Sequence, residues 1–432
     1  MPIHQHDLLI RNGHLIDPAN HLDAPLDILL QAGRVSRMGK NLSADADTPV
    51  LEASGLILAP GFIDVHVHLR EPGLEHKETM ATGAAAAAAG GICAMAAMPN
   101  TLPPPDGIDT LEDIQRRARP ASVRIYPIAC ITKDRAGGEL APLEDLAKSG
   151  AVAFSDDGDP VENTALMHRA LEIAQRIDRP IFPHEEVKAL TAGGCMHEGE
   201  ISAQLGVKGM PSAGEEEMIA RDIELVRQTG GPLHIAHIST AGAVELVRQA
   251  KAEALPVTCE VLPHHFILSD AEVARQGTAA KMSPPLRTGA DVQAMLDGLQ
   301  DGSIDLISTD HAPHTEAEKK LPLEEAPFGI VGLETAIGLT LTYLVEPGIL
   351  DLRSAIEKWT WSPARALRLP GGRLSPGDPA DLTLIDPGLE WTVDASRFRS
   401  RSRNTPFNGY RLKGKAVATI VGGRVVYNEI GA

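Results

Sequence analysis

Residues 61–73 read GFIDVHVHLREPG: an apolar run ends in His66 and His68, with Arg70 two residues further on. Side chains on a strand alternate with period two, so the two imidazoles face one side. Paired imidazoles on one face suit a metal site, whereas a single buried histidine is usually a hydrogen-bonded core residue. Other candidates lie far away in the chain, at the ends of similar runs. Asn100 closes GICAMAAMPN, Asp156 and Asp157 follow GAVAFS, and His184 lies in RPIFPHEE. His237 lies in GPLHIAHIST, His264 and His265 end LPVTCEVLPHH, and Asp310 and His311 follow SIDLIST. Imidazole and carboxylate donors without thiolate fit Zn2+ or a similar first-row divalent ion. The candidate ligands are His66, His68, Asp157, His184, His237 and Asp310. That set exceeds the needs of one tetrahedral ion. A bridged pair sharing one carboxylate, with a hydroxide between the ions, uses the donors better. A bound ion lowers the pKa of its water to about 7, and Asp310 could then act as a proton shuttle. Asp156 is adjacent to Asp157, so only one of the two can face inward.

Donors so scattered need a scaffold that gathers strand ends. GFIDVHVHL, GICAMAAMPN, VRIYPIACIT, GAVAFSDD, RPIFPHEE, GPLHIAHIST, LPVTCEVLPHH and SIDLISTDHAPH are near-continuously apolar, as strands covered on both faces are. Helical patterns separate them, among them TALMHRALEIAQRID, EEEMIARDIELVRQTG, TAGAVELVRQAKAEA and ADVQAMLDGLQDG. Eight such βα units over roughly 300 residues predict an α/β fold of the (β/α)8 TIM-barrel type, whose C-terminal rim carries the chemistry. GAAAAAAGG after the first strand reads as a helix whose small residues allow close packing. Short strands with NG, AG and SG turns fill the first 57 residues, and similar texture returns near 370 in ADLTLIDP and AVATIVGGRVVYN. We therefore expect residues 1–57 and 370–432 to form one small β domain flanking a barrel over 58–369.

A formal charge of −18 argues against nucleic acid or an anionic membrane as partner, while leaving a small anionic substrate open to local cations. Cys93, Cys130, Cys195 and Cys259 form no CxxC pair, which fits reduced thiols in a cytosolic enzyme. The opening MPIHQHDLLIRNG lacks a signal-peptide pattern, and no run of about 18 apolar residues could span a bilayer. A cytoplasmic protein is expected.

DVHVHLR, MPNT, FSDDG, IAHIST, SPPLR and TDHAPH together resemble the type I dihydroorotases of the amidohydrolase superfamily. The likeness runs over nearly the whole chain. It includes SRNTPFNG and the closing GDPADLTLID, which is similar to the superfamily's returning β-sandwich segment. HxH marks only the superfamily; MPNT with DHAPH is much narrower. The resemblance implies reversible cyclisation of N-carbamoyl-L-aspartate to L-dihydroorotate with release of water, in de novo pyrimidine biosynthesis. It also implies Zn2+, two ions per subunit, with a single ion left open. His66, His68 and Asp310 would hold one ion and His184 and His237 the other. Asp157 would bridge them, because the family's bridging Asp is the second of its DDG. Arg70, Asn100 and His314 would grip the substrate's free α-carboxylate, a task suited to guanidinium. Asp310 would be the catalytic acid/base.

The alternatives are a hydantoinase or allantoinase, or a dihydroorotase-like subunit supporting aspartate transcarbamoylase. Many superfamily members bridge with a carbamylated lysine, but here Lys148 sits at the wrong end of its strand. A scaffold-only subunit would be expected to lose ligands, and this chain keeps all six. A homo-oligomer, and a complex with aspartate transcarbamoylase, are the expected assemblies. Two departures bear on specificity: Ser283 stands where relatives often have Asn, and HEEV replaces the commoner HCED. The charged segment 312–329 reads equally as a solvated loop or as a lid over the substrate, with PFG offering backbone groups to the ring by resemblance. One of His264 and His265 is expected at the rim and the other against a helix. His4, His6, His14, His21, His76, His168, His197 and His234 are expected to be ordinary surface or packing residues.

Overall fold

The computed structural model describes residues 7–430, so His4 and His6 lie outside the described residues. The chain opens with β1 (Leu8–Asp17), β2 (Leu22–Gln31), β3 (Arg34–Gly39), β4 (Val50–Glu52) and β5 (Ile57–Pro60). β1 pairs antiparallel with β2, and β2 with β3, while β4 and β5 lie parallel to β1.

A parallel series follows. β6 (Phe62–Val67), β7 (Ile92–Ala97) and β8 (Arg124–Pro127) pair side by side. Single parallel bridges continue the series from Ala129 to Phe154, Phe154 to Ile181, and Ile181 to Leu233. Beyond the short pair β9 (Met196–His197) and β10 (Gly209–Met210), the series resumes with β11 (Leu233–Ile235), β12 (Val257–Val261) and β13 (Leu306–Ile307). His311 then bridges back to Val67 on β6, so the pairings return to where they began. GAVAFSDD and RPIFPHEE, expected as full strands, contribute only single bridges at Phe154 and Ile181. Pro180 and Pro183 flank Ile181 and have no N–H to extend a ladder. Helices cross between the parallel segments, at Thr164–Ile177, Ala213–Thr229, Ala241–Ala252 and Gly289–Asp301. Asn163, Thr240 and Thr288 cap three of them by accepting from first-turn amides.

The chain end then rejoins its beginning. β14 (Leu382–Thr392), β15 (Arg411–Val421) and β16 (Arg424–Asn428) run antiparallel, and β14 pairs with β5, so both ends share one sheet. The alanine-rich helix Met80–Ala89 is buried along most of its length, and Thr419 of β15 donates its hydroxyl to Ala88 O at 2.6 Å. Small side chains are needed there because β15 packs closely on the helix. Just beyond it, a Cβ on Gly90 would stand 1.9 Å from the Leu333 carbonyl oxygen. The result is a mixed α/β fold. All four cysteines are buried and unbridged. Among the described residues no helix is long and apolar enough to cross a membrane.

Candidate metal centre

The loops that leave the parallel series deliver the candidate residues to one place. His66 ends β6 with His68 just beyond, Asp157 follows the Phe154 bridge, and His184 follows Ile181. His237 and Asp310 follow β11 and β13. Asp157 is central. Its Oδ1 lies 3.5 Å from His66 Nε2, 3.6 Å from His184 Nδ1 and 3.5 Å from His237 Nε2, and its Oδ2 lies 3.4 Å from His68 Nε2. Asp310 Oδ1 stands 2.9 Å from His68 Nε2 and 3.5 Å from His66 Nε2. Three triples each bring their donor atoms within 4.8 Å of one another: His66–His68–Asp157, His66–His237–Asp310 and Asp157–His184–His237.

These atoms converge without satisfying one another. His66 Nε2, Asp157 Oδ1 and Asp310 Oδ1 are buried and make no hydrogen bond among the described residues. Orphaned buried polar atoms are rare and costly. Cations held by these clusters would meet those needs, and the all-N/O donor set suits a divalent first-row ion. The electrostatics agree. Burial alone would raise the Asp157 carboxyl, yet contacts with His184, His237 and His66 hold it well below the usual range. Burial opposes a charge on His66, but Asp310, Glu260 and Asp157 raise it well above an ordinary imidazole. His184 is likewise pushed up to about 9, against burial, by Asp157 and Glu186. The centre therefore favours positive charge, whether carried by protons or by an ion.

Backbone strain collects here as well. Arg70, His237 and Asp310 have φ of 61°, 29° and 43°, in the left-handed region that side chains other than glycine rarely adopt. Such residues persist only where their surroundings hold them, typically at functional sites.

A cavity of about 410 Å3 opens over the centre, lined by His68, Asp157, His184 and Asp310 and also by Arg70, Asn100 and His314. His66 and His237 do not line it. Arg70 donates from Nε to Pro313 O at 3.3 Å, and its Nη2 lies 3.4 Å from His314 Nε2, so its partners are a carbonyl and an imidazole. Burial, then the charges of Arg70 and Lys77, push His314 down to about 2, leaving a neutral ring. Asn100 donates from Nδ2 to Asp157 O at 2.6 Å, while its Oδ1 is buried without a partner. Ser283 lines the same cavity, as do Pro327, Phe328 and Gly329 from the far end of the 312–329 segment.

The sequence of one relative decides the family. A dihydroorotase of Pelotomaculum thermopropionicum is 50% identical over 422 residues, 98% of this chain and 99% of that protein. A dihydroorotase of Syntrophus aciditrophicus is 47% identical over 424 residues, 98% of this chain and 99% of that protein. This chain belongs to the dihydroorotase family. The Dihydro-orotase-like family profile matches residues 55–243. Among solved structures, the L-hydantoinase (dihydropyrimidinase) of Arthrobacter aurescens superposes with a TM-score of 0.89 at 26% identity, covering 98% of this chain and 96% of that one. The D-hydantoinase (dihydropyrimidinase) of Thermus sp. gives 0.83 at 26% identity, covering 98% and 95%. The chain is thus a hydrolase of the amidohydrolase superfamily.

The structure adds residues to this dihydroorotase-family site that motif reading missed. Glu260, fully buried on β12, places Oε1 2.6 Å from His66 Nδ1 and 3.3 Å from the His237 amide, which donates to it. Its other oxygen lies 3.4 Å from His234 Nε2, so His234 is more than packing. Glu186 Oε2 meets His184 Nε2 at 3.1 Å, and Glu78 Oε2 meets His311 Nε2 at 3.1 Å. The signal was present in VTCEV, where a lone carboxylate inside an apolar strand demands a partner. Asp156 turns away, accepting from the Ile131 amide at 2.8 Å and from Thr132. His264 and His265 follow β12, and His264 stands near enough to Asp310 and His237 to feel their charges. They do not end a strand but lie in the helix Pro263–Ile267, with Pro263 opening its first turn. Both are buried, neither lines the cavity, and His265 Nε2 meets Pro284 O at 3.0 Å.

Proposed function

We propose that this chain catalyses the reversible ring closure of N-carbamoyl-L-aspartate to L-dihydroorotate, with release of water, in pyrimidine biosynthesis. The carrying observation is a single cavity that joins a buried cluster of unpartnered imidazole and carboxylate atoms to an arginine with no carboxylate partner. The first feature suits a metal-dependent hydrolase. The second suits a substrate that keeps a free carboxylate outside the reacting bond.

His66, His68 and Asp310 would hold one Zn2+ ion, His184 and His237 a second, with Asp157 shared between them. When bound, the ions supply Lewis acidity and lower the pKa of coordinated water. The remaining work falls to the chain. Arg70, Asn100 and His314 orient the substrate through its α-carboxylate, Arg70 by charge-assisted bonds, Asn100 and the neutral His314 by hydrogen bonding. Asp310 moves the proton. Burial would raise its carboxyl, but the charges of His66 and His68 hold it well below the usual range, so it enters the reaction as an acceptor. In ring closure it takes a proton from the carbamoyl nitrogen as that nitrogen attacks the side-chain carboxylate, then hands it to the carboxylate oxygen whose bond to carbon breaks. That oxygen takes one further proton from solvent and leaves as water. In ring opening the steps reverse: Asp310 takes a proton from the attacking water and delivers it to the ring nitrogen as the carbon–nitrogen bond breaks, and the new carboxyl group loses its proton to solvent. One set of groups serves both directions because each step is microscopically reversible.

We read the returning parallel series as a (β/α)8 barrel over 58–369, and the shared end sheet as a composite β-sandwich from 1–57 and 370–432. The type I assignment rests on the motifs above. A hydantoinase reading has the structural neighbours in its favour. Against it, Lys148 is 75% exposed and pairs with Asp145, far from a bridging role. The lysine that lines the cavity, Lys188, is paired with Glu186 at 2.5 Å. A cytoplasmic setting, a homo-oligomer and a complex with aspartate transcarbamoylase are carried over from the family resemblance.

Purified protein assayed on dihydroorotate, hydantoin and allantoin, before and after chelation and zinc restoration, tests the function. Metal-dependent turnover of dihydroorotate alone is expected. Turnover of hydantoin or allantoin in its place would remove the carboxylate argument and leave the metal centre standing.

A further inference from the structure

A second cavity, of about 460 Å3, lies beside the first and shares His314 with it. Its walls carry four basic side chains, Arg401, Arg403, Lys319 and Lys320, in a chain whose formal charge is −18. The one carboxylate in the wall, Glu316, is already paired with Lys320 at 2.5 Å. Arg403 spends its guanidinium on backbone carbonyls of Ser400 and Ser402. Lys319 does the same, donating from Nζ to Lys281 O at 3.4 Å, Pro327 O at 3.1 Å and Gly329 O at 3.0 Å. Arg401 is exposed, and among the described residues only its backbone amide, which donates to Glu78 Oε1 at 3.1 Å, is engaged. The cavity thus concentrates positive charge that the protein leaves uncompensated. Consistent with this, burial and then the neighbouring Lys281 push the Lys319 ammonium down to about 7.

We propose that this second cavity binds a small phosphorylated anion, and that occupancy weakens substrate binding in the first cavity. The free Arg401 guanidinium, backed by the charge of Arg403 and by the Lys319 ammonium, suits phosphate, whose charge and several acceptor oxygens exceed those of a carboxylate. The Thr405 hydroxyl, which accepts from the Phe407 amide, adds a donor to the wall. The coupling runs through groups common to both cavities. Lys319 holds the carbonyls of Pro327 and Gly329, which line the first cavity. Asn404, in the second cavity, donates from Nδ2 to Ala312 O and Gly329 O at 3.0 Å each and accepts from the His314 amide at 3.2 Å. An anion competing for the Lys319 ammonium would loosen the Pro327–Gly329 wall. It would also lower the positive potential that Arg70 presents to a substrate carboxylate.

The test is calorimetric titration of the full chain with inorganic phosphate, pyrophosphate, a purine nucleoside monophosphate and a pyrimidine nucleoside monophosphate, with malonate as the carboxylate comparison. At least one phosphorylated probe should bind with a Kd tighter than about 1 mM, and Arg401→Gln should weaken it at least about tenfold. Arg401→Lys should restore part of the loss. Because the Arg401 side chain is exposed and makes no hydrogen bond or ion pair among the described residues, neither change threatens folding, and dihydroorotate turnover without anion should be unaltered. With the bound probe present, KM for dihydroorotate should rise in the unmodified protein while kcat holds, and should not move in Arg401→Gln. The proposal is overturned if no phosphorylated probe saturates, or if Arg401→Gln binds as tightly, which would place the anion on the metal centre or Arg70. It is equally overturned if malonate matches phosphate, or if binding leaves KM unmoved. Heat of binding is read without turnover, so failure of the dihydroorotase reading would show separately, as an inactive protein.

Discussion

Glu260 offers the sharpest test of the metal centre because it touches no substrate and lies outside the cavity wall. It is fully buried, with Oε1 2.6 Å from His66 Nδ1, and the charge of His66 and contacts with His234 and His66 hold its carboxyl near 2 against the opposing effect of burial. If His66 Nε2 binds an ion, a carboxylate on the far nitrogen fixes the ring's tautomer and orientation and raises its basicity. A hydrogen bond to a charged group is worth about 1.5–3 kcal/mol, or roughly 10–100-fold in a binding constant. Loss of a carboxylate behind a metal-bound histidine typically costs the same 10–100-fold in affinity or activity, roughly. Glu260→Gln keeps the volume and one acceptor, so zinc affinity should fall by about tenfold, the lower end of that range. Glu260→Ala also strips the His237 amide and His234 of their acceptor and should reach the upper end. Competition with a chromophoric chelator measures the affinity, and circular dichroism of the metal-free proteins controls for folding. Folded variants that retain the affinity of the unmodified protein would refute the argument, and with it the assignment of His66 Nε2 to a metal.

Three further outcomes follow from the same geometry. Asp310→Asn should cut kcat for dihydroorotate by about 100-fold or more, the usual scale for a positioned acid/base; near-normal turnover would move proton transfer to another group. Arg70→Lys should raise KM for dihydroorotate by about tenfold with a smaller effect on kcat, since one charge-assisted bond of a forked pair is lost; an unchanged KM would free the carboxylate from Arg70. Glu334 bears on stability, because burial pushes its carboxyl from 4.5 up to about 7 while its Oε1 accepts from the Arg399 and Ser400 amides. The folded state then holds this proton more tightly than the unfolded chain, so stability falls as pH rises from about 4.5 to about 7, by at most about 3 kcal/mol. Glu334→Gln keeps the acceptor and should flatten the urea-melt stability curve across that window; parallel curves would show that Glu334 is not strained by burial.

The pairing of the two chain ends was readable because hairpin texture is local, each NG or AG turn announcing its own strands. The six candidate donors, which the structure brings together, were readable for a related reason: each stands where an apolar run breaks, and such breaks are visible one run at a time. What escaped was whatever depends on how distant runs meet. Phe154 and Ile181 make single bridges where strands were expected, because Pro180 and Pro183 end the ladder and Asp156 turns back to cap Ile131 and Thr132. His264 and His265 looked like a strand end, but Pro263 starts a helix there, so they follow β12 as helical residues. The supporting layer is the extreme case. His66 meets Glu260 across 194 positions, His311 meets Glu78 across 233, and Ser400 meets Glu78 across 322. No periodicity links such residues, yet one rule narrows the search. A carboxylate inside a near-continuous apolar strand cannot be left unpaired, and its partner must be a cation, a proton or a donor. Asp64 in FIDVHV and Glu260 in VTCEV are two such residues. Asp64 meets Thr309, beside Asp310, its Oδ2 accepting from the hydroxyl at 2.6 Å, and Glu260 meets His66. Each lies one step behind a candidate ligand. Buried strand carboxylates in this fold therefore point to the ends of strands that carry the metal centre, and that inference needs only the sequence and the requirement that buried charge be met.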